Sequence, residues 1–255
     1  MRTAIKYVLA YFAILNFVAP MCVGAFNSIY NYITNGVFSF VFISGETIIP
    51  TQVTACLLMA IYLYAVSAIG VGSTRVKPIT AAASFGAWIG AYWLISLLMA
   101  FAAEWLPNTM EEAFDNILSG WAGILAIAVL GPIIEELTFR HAVLNALLKK
   151  FSPRMAILIS AILFGVIHIN PAQIIPAFLF GLLFGWMCWR TRSLLPTIVL
   201  HVLNNCTSVF LERTHNHVDD ITQLVSTTTA IGLTIIAIPL LFFSLRFIEK
   251  AEQAC

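Results

Sequence analysis

Eight apolar runs, each about the length that carries a helix through a bilayer, constrain this chain more than any other feature. A hydrocarbon core about 30 Å thick needs roughly 20 apolar residues at about 1.5 Å of rise each, and fewer where a helix is buried among neighbours. The runs occupy residues 7–26, 51–71, 79–103, 121–148, 155–170, 174–189, 194–211 and 226–247. Of the 255 residues 60% are hydrophobic and only 10% charged. An ordinary soluble domain carries about 25% charged residues, and no core of this size hides so much apolar surface from water. The fold class is therefore all-α, a polytopic transmembrane helical bundle of about eight spans.

Charge fixes the expected orientation and excludes one class of partner. Arg2, Lys6, Arg75, Lys77, Lys149, Lys150, Arg154, Arg190, Arg192, Arg246 and Lys250 fall on one side of the eight spans, with Arg213 opposite and Arg140 inside a span. The positive-inside rule then puts both termini in the cytoplasm. Arg2 and Lys6 ahead of the first run imitate a signal peptide, but the run is long and lacks a clear small-residue cleavage site, so it reads as a retained helix. The net charge of +1 is dispersed rather than gathered into a basic patch, which argues against nucleic acid. Cys22, Cys56, Cys188, Cys206 and Cys255 show no paired spacing, so neither disulfides nor a thiolate metal site is expected.

Against this apolar background six polar residues stand out between Gly131 and Asn205. Glu135, Glu136, Arg140, His168, His201 and Asn205 lie inside the runs, where an ionisable group near a helix centre costs roughly 2.5–3.5 kcal/mol even on a lenient scale. Pro132 removes a backbone hydrogen bond beside the carboxylates and predicts a kink or local opening there. Glu136 and Arg140 are four residues apart, share a helix face and can pair as a charge-assisted fork. Glu135 is rotated by about 100° from Glu136 and is left for chemistry.

Helical rise puts the polar groups at compatible depths. Glu135 precedes Lys149 by 14 residues and His168 follows Arg154 by 14, so both sit roughly 21 Å from the same side. His201 and Asn205, one helical turn apart, lie roughly 13 and 20 Å past Arg192. Three spans can thus converge on one polar pocket. The chemistry this residue set suits is water activation by a general base, Glu135, with His168 holding or helping to deprotonate the water. His201 and Asn205 would supply donors to a developing oxyanion. A single intramembrane histidine or asparagine is commonly helix glue, but serine and threonine do that work more cheaply, and glue does not explain the set. No HExxH run occurs, so no cofactor is assigned; two histidines and a glutamate are compatible with zinc in three dimensions.

The same residues carry a family pattern. Glu135-Glu136-Leu137-Thr138-Phe139-Arg140 reads as EExxxR, Phe164 to His168 as FxxxH, and His201 to Asn205 as HxxxN. In this ordered set the chain resembles the CPBP family of intramembrane proteases, the CAAX-protease and bacteriocin-processing group also called Abi, which includes type II CAAX prenyl endopeptidases. The resemblance covers roughly residues 121–211. It implies that Glu135 activates water with His168, that His201 and Asn205 stabilise the oxyanion, and that Glu136 and Arg140 are an orienting pair. It also implies a membrane-associated peptide or lipidated protein as substrate and a bacterial cytoplasmic membrane as location. Family members differ in substrate, from prenylated CAAX termini to bacteriocin immunity, so a peptide-sequestering immunity protein is the alternative. A proton-coupled carrier is disfavoured because no inverted repeat is present.

Organisation follows from these placements: residues 1–120 hold N-terminal spans and an outer interfacial helix, 121–212 the CPBP-like catalytic core, and 213–255 an outer loop and the last span. The interfacial helix is expected over 106–118, with Thr109 and Glu112 as a capping box. Gly181 and Gly185 form a GxxxG face that permits close helix approach. His215, His217, Asp219 and Asp220 read as a solvated loop.

Overall fold

The computed structural model describes residues 1–40, 45–66, 68, 76–118, 120–214 and 221–253. Arg75, the loop with His215, His217, Asp219 and Asp220, and Cys255 lie outside the described residues. All regular structure among the described residues is helical. The helices are α1 (Arg2–Asn35), α2 (Gly45–Ala65), α3 (Pro78–Trp105), α4 (Glu111–Leu118), α5 (Trp121–Leu148), α6 (Pro153–Val166), α7 (Pro171–Thr191), α8 (Leu195–Thr214) and α9 (Thr227–Gln253).

Six of them, α1, α2, α3, α5, α7 and α9, are long and apolar enough to cross a membrane. The other two expected spans are helices that miss one condition each. At 14 residues, α6 is roughly 21 Å long. Helix α8 has 20 residues but carries His201, Asn204, Asn205, Glu212 and Arg213. Large apolar side chains point outward along the long helices, among them Leu9, Phe17, Phe101, Ile235 and Phe243. Small and hydroxylated residues such as Ala19, Ser28, Ala87 and Ser84 are buried instead. That inversion suits a hydrocarbon solvent, where helices associate by close packing rather than by hiding apolar surface. The protein is a multi-pass membrane protein.

The chain divides into two compact units, the first formed by Met1–Gly70 and Met110–Ala146, the second by Val71–Thr109 and Leu147–Cys255. In the first unit α1 packs on the 137–143 stretch of α5, and α2 packs on both α1 and α5. In the second, α3 lies antiparallel to α9, and α6 antiparallel to α7. Glycines set both approaches. A Cβ on Gly90 would come within 2.8 Å of the Ala237 carbonyl oxygen, and one on Gly181 within 3.1 Å of Ala161. Gly185 meets Ile157 in the same way, so the GxxxG face of α7 receives α6. The equivalent device on α3, Gly86 and Gly90 against Ser244 and Leu241, has the same four-residue spacing.

The helix expected at the interface begins later and is capped differently from the expectation. It spans Glu111–Leu118, and the Phe114 N–H bonds to the Met110 carbonyl, which makes Met110 the cap residue. Thr109 instead donates its backbone N–H to Asn170 Oδ1 at 3.1 Å, with its hydroxyl 3.4 Å from the same atom. A buried asparagine needs donors from its surroundings more than a surface helix needs a threonine cap.

Candidate active site

Helix α5 carries the carboxylates and is not a uniform α-helix. Residues Ala126–Leu130 and Leu137–Val143 are wound as π-helix, with a regular stretch, Gly131–Glu136, between them. Pro132 supplies one physical reason. Its ring has no N–H and clashes with the carbonyl four residues back, and the π stretch just before it absorbs the mismatch. The Gly131 N–H accordingly reaches the Ala126 carbonyl, five residues earlier. The opening expected from Pro132 therefore takes the form of an inserted residue, a distortion frequent at functional sites.

Glu136 and Arg140 are buried together, at 0% and 1% exposure, with Arg140 Nε 3.3 Å from Glu136 Oε2. Charges this deep persist only when paired. Glu135 has a different partner: Tyr11 of α1 donates its hydroxyl to Glu135 Oε1 at 3.2 Å. The Tyr11 ring packs edge-on against Phe139, with centroids 5.7 Å apart. Neighbouring glutamates thus face different surroundings, one held by a guanidinium and the other by a phenol, as the 100° rotation between successive residues requires. Tyr11 belongs to no motif and is 124 residues from Glu135 in sequence. The available signal was a tyrosine among apolar residues, whose hydroxyl needs a partner once buried.

His168 and His201 lie in the second unit. Helix α6 stops at Val166, two residues short of His168, which stands in the turn to α7 rather than inside a span. Pro171 disfavours helical backbone at Asn170, so the chain must leave the helix before it. The exit tightens to three-residue bonds, His168 N–H to Gly165 and Ile169 N–H to Val166. Ile169 then adopts a left-handed conformation with φ 61°, which is unusual for a β-branched residue. Asn170, 1% exposed, anchors the turn by donating from Nδ2 to Asn108 Oδ1 at 2.8 Å and by accepting from Thr109.

His168 Nδ1 lies 2.8 Å from the Phe164 carbonyl oxygen. A carbonyl only accepts, so Nδ1 carries the proton and, in the neutral ring, Nε2 is an acceptor. His201 on α8 is buried. The Phe164 ring touches both imidazoles edge-on, with centroids 4.9 Å from His168 and 5.8 Å from His201. Phe184 of α7 lies tilted against His201 at 5.7 Å and stacks on Phe180. Asn205 follows His201 by one turn of a regular helix and is half-buried. Within either unit no group of three or more His, Cys, Asp or Glu among the described residues is gathered to hold a metal ion.

Residues 116–207 match the family of Rce1-like type II CAAX prenyl endopeptidases. All six polar residues lie in that stretch. A protein of Bacillus subtilis (strain 168), named "Putative membrane peptidase YdiL", is 30% identical over 89 residues, covering 35% of this chain and 36% of the relative. The chain thus matches about a third of that curated relative's length. No solved structure matches. Tyr11, Asn108 and Thr109 lie outside the matched segment.

Proposed function

We propose that this protein is an intramembrane endopeptidase that hydrolyses a peptide bond in a membrane-associated substrate, with a lipidated CAAX-type terminus as the first candidate. The observation that carries the reading is the division of labour between adjacent carboxylates. Glu136 is committed to Arg140, while Glu135, in the motif position that activates water in the matched family, is held by a neutral hydroxyl. Glu135 takes a proton from water as the oxygen attacks the carbonyl carbon. His168, with Nε2 as an acceptor, holds the second water proton. His201 and Asn205 donate to the oxygen on which negative charge develops. Collapse of the tetrahedral intermediate breaks the C–N bond, and the proton held by Glu135 passes to the departing amine. The peptide gains one water and no redox step is involved. In this reading Glu135, His168, His201 and Asn205 are the catalytic residues, with Glu136 and Arg140 as the orienting pair.

The test is cleavage of a fluorogenic lipid-modified peptide by purified protein in liposomes. Wild type is expected to cleave, and Glu135→Ala and His168→Ala to be inactive while still folded. Peptide binding without cleavage by wild type, matched by Glu135→Ala, would replace hydrolysis with sequestration.

A further inference from the structure

The residue that meets Glu135 comes from α1, outside the family-matched segment and outside every motif in the sequence. Tyr11 is 5% exposed, and its ring has little freedom. Phe139 packs against one edge. On another side lies a cavity of about 10 Å³, bounded by Gln52, Cys56 and Ile134 among others. That space is about the size of one water molecule. The Tyr11 hydroxyl, the only polar atom of the side chain, is directed at Glu135 Oε1. The 137–143 π stretch that α1 packs against begins two residues past Glu135. Ring packing and hydrogen bond thus address one short piece of α5.

We propose that Tyr11 is a positioning residue for Glu135: its hydroxyl holds Oε1 and so fixes the plane and direction in which the carboxylate presents itself to water. The assignment rests on the hydrolytic reading for its consequence, but the contact itself can be tested without substrate. A misdirected base fails in the transition state more than in substrate binding, so the loss falls on kcat.

Tyr11→Phe keeps the ring and its packing and removes only the hydroxyl. The expected result is a fall of about tenfold in kcat with KM unchanged, the order expected for one hydrogen bond to a charged group. The infrared carboxyl band of Glu135, identified by its disappearance in Glu135→Gln, should shift in Tyr11→Phe. A residue needed only for packing would leave both readouts unmoved. An unshifted band overturns the proposal, as does an undiminished kcat. Failure of the hydrolytic reading has a different signature: wild type and Glu135→Gln equally inactive, with the band still shifting in Tyr11→Phe.

Discussion

The stretch that carries the carboxylates and the stretches that carry the imidazoles solve the same problem, polar groups in an apolar surrounding, by different means. Around Glu135 and Glu136 the partners include a guanidinium and a phenol, and the backbone is rewound into π-helix on either side. Around His168 and His201 the neighbours are largely aromatic rings, Phe164 and Phe184, and the helices are regular up to a strained turn. The difference follows from charge. An ionised carboxylate loses too much hydration to be held by carbon alone, whereas a neutral imidazole has an apolar body and at most one donor and one acceptor to satisfy.

The contrast is sharpest within α5, between adjacent carboxylates. Glu135→Gln should lower kcat by about 10²–10⁴-fold, the usual contribution of a positioned general base, and leave thermal unfolding in detergent unchanged. Arg140→Ala should do the reverse in kind, destabilising the fold by about 3–5 kcal/mol because Glu136 is left buried without its cation. Equal loss of stability in both variants would mean that the two glutamates are one structural network.

The imidazole side should respond through chemistry rather than stability. His201→Phe retains an aromatic body between Phe164 and Phe184 and removes the donors. It should lower kcat by about 10²–10³-fold, as losing one oxyanion donor does, with an unfolding transition close to wild type. A variant that unfolds instead would show that the imidazole nitrogens are structural.

Packing behind Phe164 is the next most sensitive point. A Cβ on Gly165 would lie 2.9 Å from the Ile174 carbonyl oxygen and 3.1 Å from Phe178 Cβ, so Gly165→Ala must push α6 from α7. The cost should be about 1–3 kcal/mol, and because Phe164 touches both histidines, activity should fall with it. The same substitution at Gly120, with nothing within 4 Å of its Cβ, serves as the control.

How much of this was legible in the sequence depends on the reach of each signal. Apolar length and the i, i+4 spacing of Glu136 with Arg140 are local; the pair forms, and six of the eight runs are helices long and apolar enough to cross a membrane. The GxxxG spacing at Gly181 and Gly185 likewise pointed to a close approach, and α6 fills it. The π stretches have no local signature beyond Pro132, because the cost of an inserted residue is met by neighbours. Tyr11 and Glu135 are separated by 124 residues, and no periodicity links them. Helix α6 ends at Val166, before the apolar run does, since hydropathy continues through Ile167 and Ile169 while Pro171 turns the backbone.

That turn offers the smallest and most discriminating test. Ile169 at φ 61° carries about 1–3 kcal/mol of strain, and its side chain is 58% exposed, so little packing repays it. Ile169→Gly should remove the strain but lose somewhat less through the added freedom of the unfolded chain, for a net gain of about 1 kcal/mol in thermal unfolding. The strain persists because Asn170 is pinned by Asn108 and Thr109 on one side and His168 is tied to Phe164 on the other. If that tension sets the direction of His168, the more stable variant should also be slower, with kcat reduced a few-fold at unchanged KM. A gain in stability with full activity would assign the strain to the helix exit alone, and the aromatic contact with Phe164 would then suffice to orient the imidazole.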